Sequence, residues 1–206
     1  MIKIWGRVNS INVQKVRWCL AEIGLPYERE DAGLQFGKNN DPWYLSMNPN
    51  ALVPTMKDGD LVLWESHTIV RYLAAKYGND PFYPADLAIR ADGDRWMDWA
   101  LSTLYTDMRD IFWGLIRTPP EQRDAAALAR AHKSACEIWA RLDHAMAGRK
   151  YVAGTDFTIG DIPVGAWAFR WFNLPIERPA LANLKTWFDR LTERPAYRET
   201  VMLPLS

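Results

Sequence analysis

The chain has 206 residues, 49% hydrophobic and 24% charged, and its 25 Lys and Arg balance its 25 Asp and Glu. That composition suits a globular protein with one large domain or two small ones, and a formal charge of zero argues against a nucleic-acid binder, which usually carries a basic face. Cys19 and Cys136 have neither CxxC nor metal-ligand spacing, Met1 to Trp5 lacks the apolar core of a signal peptide, and no apolar run approaches the ~20 residues of a membrane span, so the expectation is a cytoplasmic protein with no membrane partner.

Ile2 to Trp5 reads as a short strand. From Ile11 to Gly24 the apolar positions Val13, Val16, Leu20 and Ile23 step by three and four, which predicts a helix with one buried stripe, ended by Gly24. Leu25 to Glu30 reads as a second strand, and a short helix is expected over Pro42 to Met47. Thr55-Met-Lys and Leu61-Val-Leu flank Asp58-Gly59, a two-residue hairpin signal. Ser66 to Tyr77 is helical again, with Ile69, Val70, Leu73 and Tyr77 on one face. The order is βαβαββα, and the terminal hairpin makes the sheet mixed.

Asn79-Asp-Pro-Phe-Tyr-Pro has the prolines of a linker. Everything beyond it reads as helix. One long tryptophan-rich helix is expected from Leu87 to about Ile116, and Thr118-Pro-Pro-Glu opens the next, where Leu128, Ala131, Ala135, Ile138 and Leu142 keep the rhythm. Further helices are expected near Asp161 to Phe172, Leu181 to Thr192 and from Pro195. Thr158-x-x-Asp161 has capping-box spacing with Asp in place of Glu. Most of the eleven tryptophans should be core, with some left to line an apolar pocket.

Ordinary catalytic sets are scarce. His132 and Cys136 are four apart on a helix, but two ligands do not make a metal site. There is no Gly-rich phosphate loop and no GxSxG elbow. What remains is a pair of helix starts, at Ser10 and at Glu65-Ser66. Each offers unpaired N–H groups and partial positive charge; the serines act either as plain N-caps or as anion sites. Val53-Pro54 lies between them, where proline forgoes a ladder bond. A cis bond there would turn the backbone of Val53 outward to pair with an extended peptide; a trans edge proline is the alternative.

Four motifs, Ser10-Ile-Asn-Val-Gln-Lys-Val, Asn48-Pro-Asn-Ala-Leu-Val-Pro, Asp58-Gly-Asp-Leu-Val-Leu-Trp-Glu-Ser and Phe157-Thr-Ile-Gly-Asp-Ile, resemble those of cytosolic glutathione S-transferases, of the serine-type, theta- or phi-like branch. The resemblance covers nearly the whole chain. It implies a thioredoxin-like N-terminal domain over residues 1–80 and an all-helical C-terminal domain over 87–206, with glutathione as co-substrate, no metal, and a homodimer. It implies that Glu65 meets the γ-glutamyl ammonium, Ser66 the adjacent carboxylate, and Val53, before Pro54, the cysteinyl backbone. Lys38 and Asn39 are candidates for the glycyl carboxylate, and Leu52 stands where the family often has a polar residue. Ser10 would donate to the thiolate, assisted by Asn12. The electrophile, a small apolar molecule, would lie between the domains against Tyr105, Arg109, Phe112 and Trp113.

The leading activity implied is conjugation of glutathione to such electrophiles. The Ser-x-Asn pattern also resembles the Thr-x-Asn of nu-class relatives, which reduce disulfides. A glutathione-dependent isomerase or dehalogenase and a non-catalytic binding protein on the same fold are the other readings. Retention of Ser10 and of Glu65-Ser66 favours an enzyme.

Overall fold

The apolar run Ile2–Trp5 (β1) forms an inner strand of a four-stranded sheet. The computed structural model, which describes residues 1–206, sets Tyr27–Glu30 (β2) on one side of β1 and Thr55–Asp58 (β3) on the other, with Leu61–Trp64 (β4) beyond β3. β1 and β2 are parallel, from Ile2 opposite Tyr27 to Trp5 opposite Glu30. The β1–β3 and β3–β4 pairs are antiparallel. A parallel pair needs a crossover, and Ile11–Ile23 (α1) supplies it. Asp58 pairs with Leu61, so the hairpin turns on Gly59-Asp60, one residue later than expected. Gly59 takes the left-handed conformation there, φ 61°. Pro42–Leu45 (α2) and Ser66–Tyr77 (α3) complete this half.

The helical half comprises Leu87–Trp99 (α4), Tyr105–Phe112 (α5), Ala125–Ala145 (α6), Asp161–Asn173 (α7), Ala182–Thr192 (α8) and Pro195–Thr200 (α9). The long helix expected from Leu87 exists, but π-helical turns at Ala100–Leu104 and Trp113–Arg117 interrupt its α-helical winding. Such turns shift the facing of every side chain beyond them and recur at functional sites.

α1 is buried on two flanks. Val13, Val16 and Leu20 are fully buried, and Gly24, with φ 77°, ends the helix by donating its N–H to Ala21 and Leu20 carbonyls. The opposite flank carries Trp18, whose ring lies 5.4 Å from that of Phe157 and 4.6 Å from that of Tyr197. Gly165 of α7 admits this ring, since a Cβ there would lie 2.8 Å from it. Arg194 closes the joint with two bonds to Glu22, at 2.7 and 2.6 Å. The two halves therefore share one continuous apolar core.

Two buried polar groups hold this arrangement. Asp161 is fully buried and accepts from Val152 N–H at 3.0 Å, Thr158 N–H at 3.0 Å and Trp187 Nε1–H at 2.9 Å. Thr158 Oγ1 accepts from Gly160 N–H at 3.3 Å while Asp161 N–H bonds the Thr158 carbonyl, so of the box implied by the sequence the carboxylate half, Asp161 to Thr158 N–H, is formed and the hydroxyl half is shifted by one residue. On the other side of the core, Lys15 of α1 places its ammonium 3.0 Å from Asn12 Oδ1 and 3.0 Å from His67 Nε2. Donation to Nε2 requires a neutral imidazole with its proton on Nδ1. Burial, then the neighbouring Lys15 and Arg71, push the His67 pKa from 6.5 down to about 2.

Two outcomes follow from these groups. Asp161→Ala strands three buried donors, each costing about 1–3 kcal/mol; guanidinium unfolding at pH 7 should register a loss of about 3 kcal/mol or more, and a loss below about 1 kcal/mol would contradict the role given to the carboxylate. For His67, the unfolded chain takes up a proton below pH 6.5 that the folded chain excludes down to about 2. Its contribution is complete above the unfolded value and is lost as pH falls through that window. Urea midpoints should decline on acidification, with a shallower decline in His67→Gln; parallel curves would clear His67 of the effect.

Candidate active site

Three backbone features meet at the seam between the halves. The first is the start of α1. Ser10, with φ −78° and ψ 122°, sits at the N-cap, yet its side chain makes no capping bond. Its carbonyl takes the first helical bond, from Gln14 N–H at 2.9 Å. The N–H groups of the first turn thus have no acceptor within the helix, and the Ser10 hydroxyl lines a cleft of about 270 Å³. Asn12 lines it too. Lys15 holds the Asn12 amide oxygen, which leaves the amide NH₂ as the free donor of that side chain.

The second feature is the turn at Val53-Pro54, whose peptide bond is cis. Neither the N–H nor the C=O of Val53 is used in a backbone hydrogen bond. The preceding carbonyl, of Leu52, is held twice, by Tyr44 O–H at 2.6 Å and Asn48 Nδ2–H at 2.9 Å. Asn48 Nδ2 also reaches Thr55 Oγ1 at 3.0 Å, and that hydroxyl donates to Tyr44 Oη at 2.8 Å. This buried network fixes a turn whose next residue keeps its backbone unpaired.

The third feature is the start of α3. Glu65 occupies the N-cap with φ 69° and ψ 109°, and Ser66 is the first helical residue. Such a conformation in a non-glycine residue costs about 1–3 kcal/mol and persists only where surroundings enforce it, often at functional sites. Neither side chain caps the helix. Both line a second cleft, of about 230 Å³, which shares Asn12, Leu52, Val53 and Tyr105 with the first. The two clefts therefore adjoin along Val53, with one helix N-terminus opening into each.

Of the residues singled out from sequence, Ser10, Asn12, Asn39, Val53, Tyr105, Arg109 and Trp113 line the first cleft, and Pro54, Glu65 and Ser66 the second. Two stand elsewhere. Lys38 lines neither cleft; its ammonium pairs with Glu30 at 2.8 Å, and Lys3 takes the other oxygen of that carboxylate at 2.9 Å. Phe112 is 1% exposed and belongs to the core. An α-helix turns about 100° per residue, so Phe112 falls between the core residues Met108 and Ile111 and the cleft residues Tyr105 and Arg109; packing, not spacing, decided its side. Asn39 is present but engaged, donating to Ala51 O at 2.7 Å.

Sequence reasoning missed Arg7, Arg117, Trp167 and Arg170 on the wall of the first cleft, and Lys15 beneath it. Arg170 had a readable signal, since it is the one basic residue in the otherwise apolar body of α7. Burial, followed by the nearby Arg170, lowers the Lys15 ammonium to a pKa of about 7.

Known proteins share this architecture. Residues 1–75 match the glutathione S-transferase N-terminal domain family and residues 105–195 the glutathione S-transferase C-terminal domain family. The chain is 47% identical to glutathione S-transferase GstB of Escherichia coli strain K12, over all of both chains. It is 29% identical to glutathione S-transferase 3 of Zea mays, over 97% of this chain and 93% of that one. Among solved structures it resembles the theta class glutathione S-transferase of the citrus canker pathogen Xanthomonas axonopodis pv. citri with glutathione bound, at a TM-score of 0.96 and 50% identity, covering 100% of this chain and 99% of that one. With both family domains matched in order and full-length identity of this degree, the chain belongs to the glutathione S-transferase family.

Proposed function

We propose that the chain joins glutathione to small electrophiles, with the tripeptide across the two adjoining clefts and the electrophile in the first. The observation that carries this is the pair of helix N-termini without side-chain caps, separated by a turn whose valine keeps both backbone groups free. Glutathione has complementary parts. Its γ-glutamyl carboxylate suits the Ser66 hydroxyl and the N–H groups of α3, and its ammonium suits Glu65. Its cysteinyl backbone pairs with Val53 as an added strand would. Asn39 is the better placed of the two candidates for the glycyl carboxylate. The division of the chain into residues 1–80 and 87–206 belongs to the same reading: the first domain holds glutathione and the second closes the cleft.

The sulfur then faces Ser10 and Asn12. A free thiol has a pKa near ~8.5, and the thiolate is the nucleophile. The Ser10 hydroxyl and the Asn12 amide both donate, and the N-terminus of α1 adds partial positive charge. Each unit of pKa depression corresponds to about 1.4 kcal/mol, which one charge-assisted hydrogen bond supplies. Ser10 acts as donor, not as base: the thiol proton goes to solvent, and the thiolate attacks the electrophile. Tyr105, Arg109, Trp113 and Trp167 line the space where that partner would rest.

The reading includes a cytoplasmic location, where glutathione keeps thiols reduced. Both cysteines are free, and no helix is long and apolar enough to cross a membrane. It also includes a homodimer. Leu61 and Trp64 on β4 and Leu87, Ile89 and Leu101 along the long helix are exposed apolar side chains, one group on each half, and a two-fold axis would set one against the other.

Ser10→Ala should reduce kcat by about tenfold or more while calorimetric affinity for glutathione changes less than threefold. The thiolate absorbance of bound glutathione should titrate at higher pH in the variant. An unchanged thiol pKa would remove Ser10 from the mechanism, and no glutathione binding by the wild type would end the proposal. Light scattering should give twice the chain mass; a monomer at micromolar concentration would reject the dimer.

A further inference from the structure

The first cleft is unusual in the charge it carries. Arg7, Arg117 and Arg170 line it, from the β1–α1 loop, the second π turn and α7. None of the three pairs with an Asp or Glu side chain, although the fourth arginine of the cleft, Arg109, pairs with Asp110 at 2.7 Å. Arg170 is 5% exposed and donates to the Asn9 carbonyl at 3.2 Å. Arg117 donates at 3.1 Å to a main-chain oxygen of Ser206, the last residue of the sequence and the site of its terminal carboxylate. Arg7 makes no side-chain hydrogen bond, and its buried Nε has no partner.

Aromatic rings fix two of these cations in place. The Arg170 guanidinium lies 3.8 Å from the centre of the Phe112 ring and 5.4 Å from that of Trp167. Arg117 lies 5.2 Å from the Phe112 ring and 4.7 Å from that of Trp113. Phe112 is thus the plate beneath the guanidinium groups rather than a wall of the cleft. Burial first, then Arg117, brings the Arg7 pKa down to about 10. Burial first, then Arg117 and Arg7, brings Arg170 down to about 9. Three like charges held together and partly dehydrated, with no Asp or Glu side chain against them and only Arg117 touching the chain terminus, destabilise the empty protein, and a bound anion relieves that repulsion. The planar forks of arginine match a carboxylate in two-pronged fashion.

We propose that the acceptor substrate of this enzyme is a small electrophile bearing a carboxylate, seated on Arg7, Arg117 and Arg170 with its electrophilic carbon toward the sulfur at Ser10. The proposal rests on the transferase reading above and narrows its substrate class from apolar to anionic. Aryl chlorides supply a matched test pair, 4-chloro-3-nitrobenzoate and the neutral 4-chloro-3-nitrobenzamide. In either, the thiolate of glutathione attacks the ring carbon that bears chlorine, the C–S bond forms, the C–Cl bond breaks, and chloride leaves with the bonding pair. The carboxylate or amide is unchanged.

With each rate divided by its uncatalysed rate with glutathione, kcat/KM should favour the benzoate by about tenfold or more, chiefly through KM. Arg117→Gln and, separately, Arg7→Gln should cut that preference at least fivefold, with Arg117→Lys keeping part of it; thermal unfolding identifies a variant that has not folded, and the other variant then decides. Independently of turnover, calorimetry on the glutathione-loaded protein should show the unreactive 3-nitrobenzoate binding at least tenfold tighter than 3-nitrobenzamide. Equal preference in both assays, or a preference that survives both arginine substitutions, would overturn the proposal. So would a finding that the substitutions weaken glutathione itself while sparing the preference, since the arginines would then serve the tripeptide. Tight benzoate binding with no turnover of either chloride would leave the anion site standing and remove the transferase reading instead.

Discussion

Everything at the site depends on one helix being clamped along its body and left open at its start. An absent N-cap bond costs α1 about 1 kcal/mol, and the deficit sits where the helix dipole is most positive. The body of the helix outweighs it. Val13, Val16, Trp18 and Leu20 are fully buried, and each large apolar side chain contributes about 1.5–3 kcal/mol on burial. The surplus lets the Ser10 hydroxyl and the first N–H groups stay unpaired inside the protein, which is what an incoming sulfur anion requires. Because Trp18 and Glu22 dock on α7 and α9, the same clamp sets the distance between the sheet and the helical wall of the cleft.

The other two features are kept in unfavourable states by buried polar support. Asn48 and Tyr44 hold the carbonyl ahead of Val53, and the positive φ of Glu65 is imposed between β4 and α3. Lys15 links the two helix starts, bonding Asn12 near one and His67 beside the other. An ammonium without a carboxylate partner is an expensive occupant of a core. Its position behind Asn12 gives it a use, because its bond to the amide oxygen aims the amide NH₂ toward the place proposed for the thiolate. These groups form a rigid frame, so a ligand meets donors already aimed and little reorganisation is needed on binding.

The helical half contributes shape and charge rather than reactive groups. Between two π turns, α5 presents Tyr105 and Arg109 to the cleft while Met108, Ile111 and Phe112, on the other side of the same helix, stay in the core. The unpaired arginines of the first cleft come from three separate elements, so neither a single motif nor a single helix face encodes them.

Much of the molecule was legible in the sequence. The 3.6-residue rhythm of α1, the glycine that ends it, the βαβαββα order and the Thr158–Asp161 box are local or nearly so, governed by periodicity, turn chemistry and capping. The motifs around Ser10, Val53-Pro54 and Glu65-Ser66 pointed to the clefts only in combination and through their family resemblance, since each alone reads equally as a plain helix cap or an edge proline. Tertiary structure alone decided the rest. The family resemblance suggested Lys38 and helical spacing suggested Phe112, but Glu30 and Lys3 drew one into a surface ion network and Met108 and Ile111 took the other into the core. Arg7, Arg117 and Arg170 lie far apart in the chain, and nothing in their neighbours announces that they converge. Local chemistry fixes which backbone groups are left free; only packing over long sequence distances decides which charges surround them.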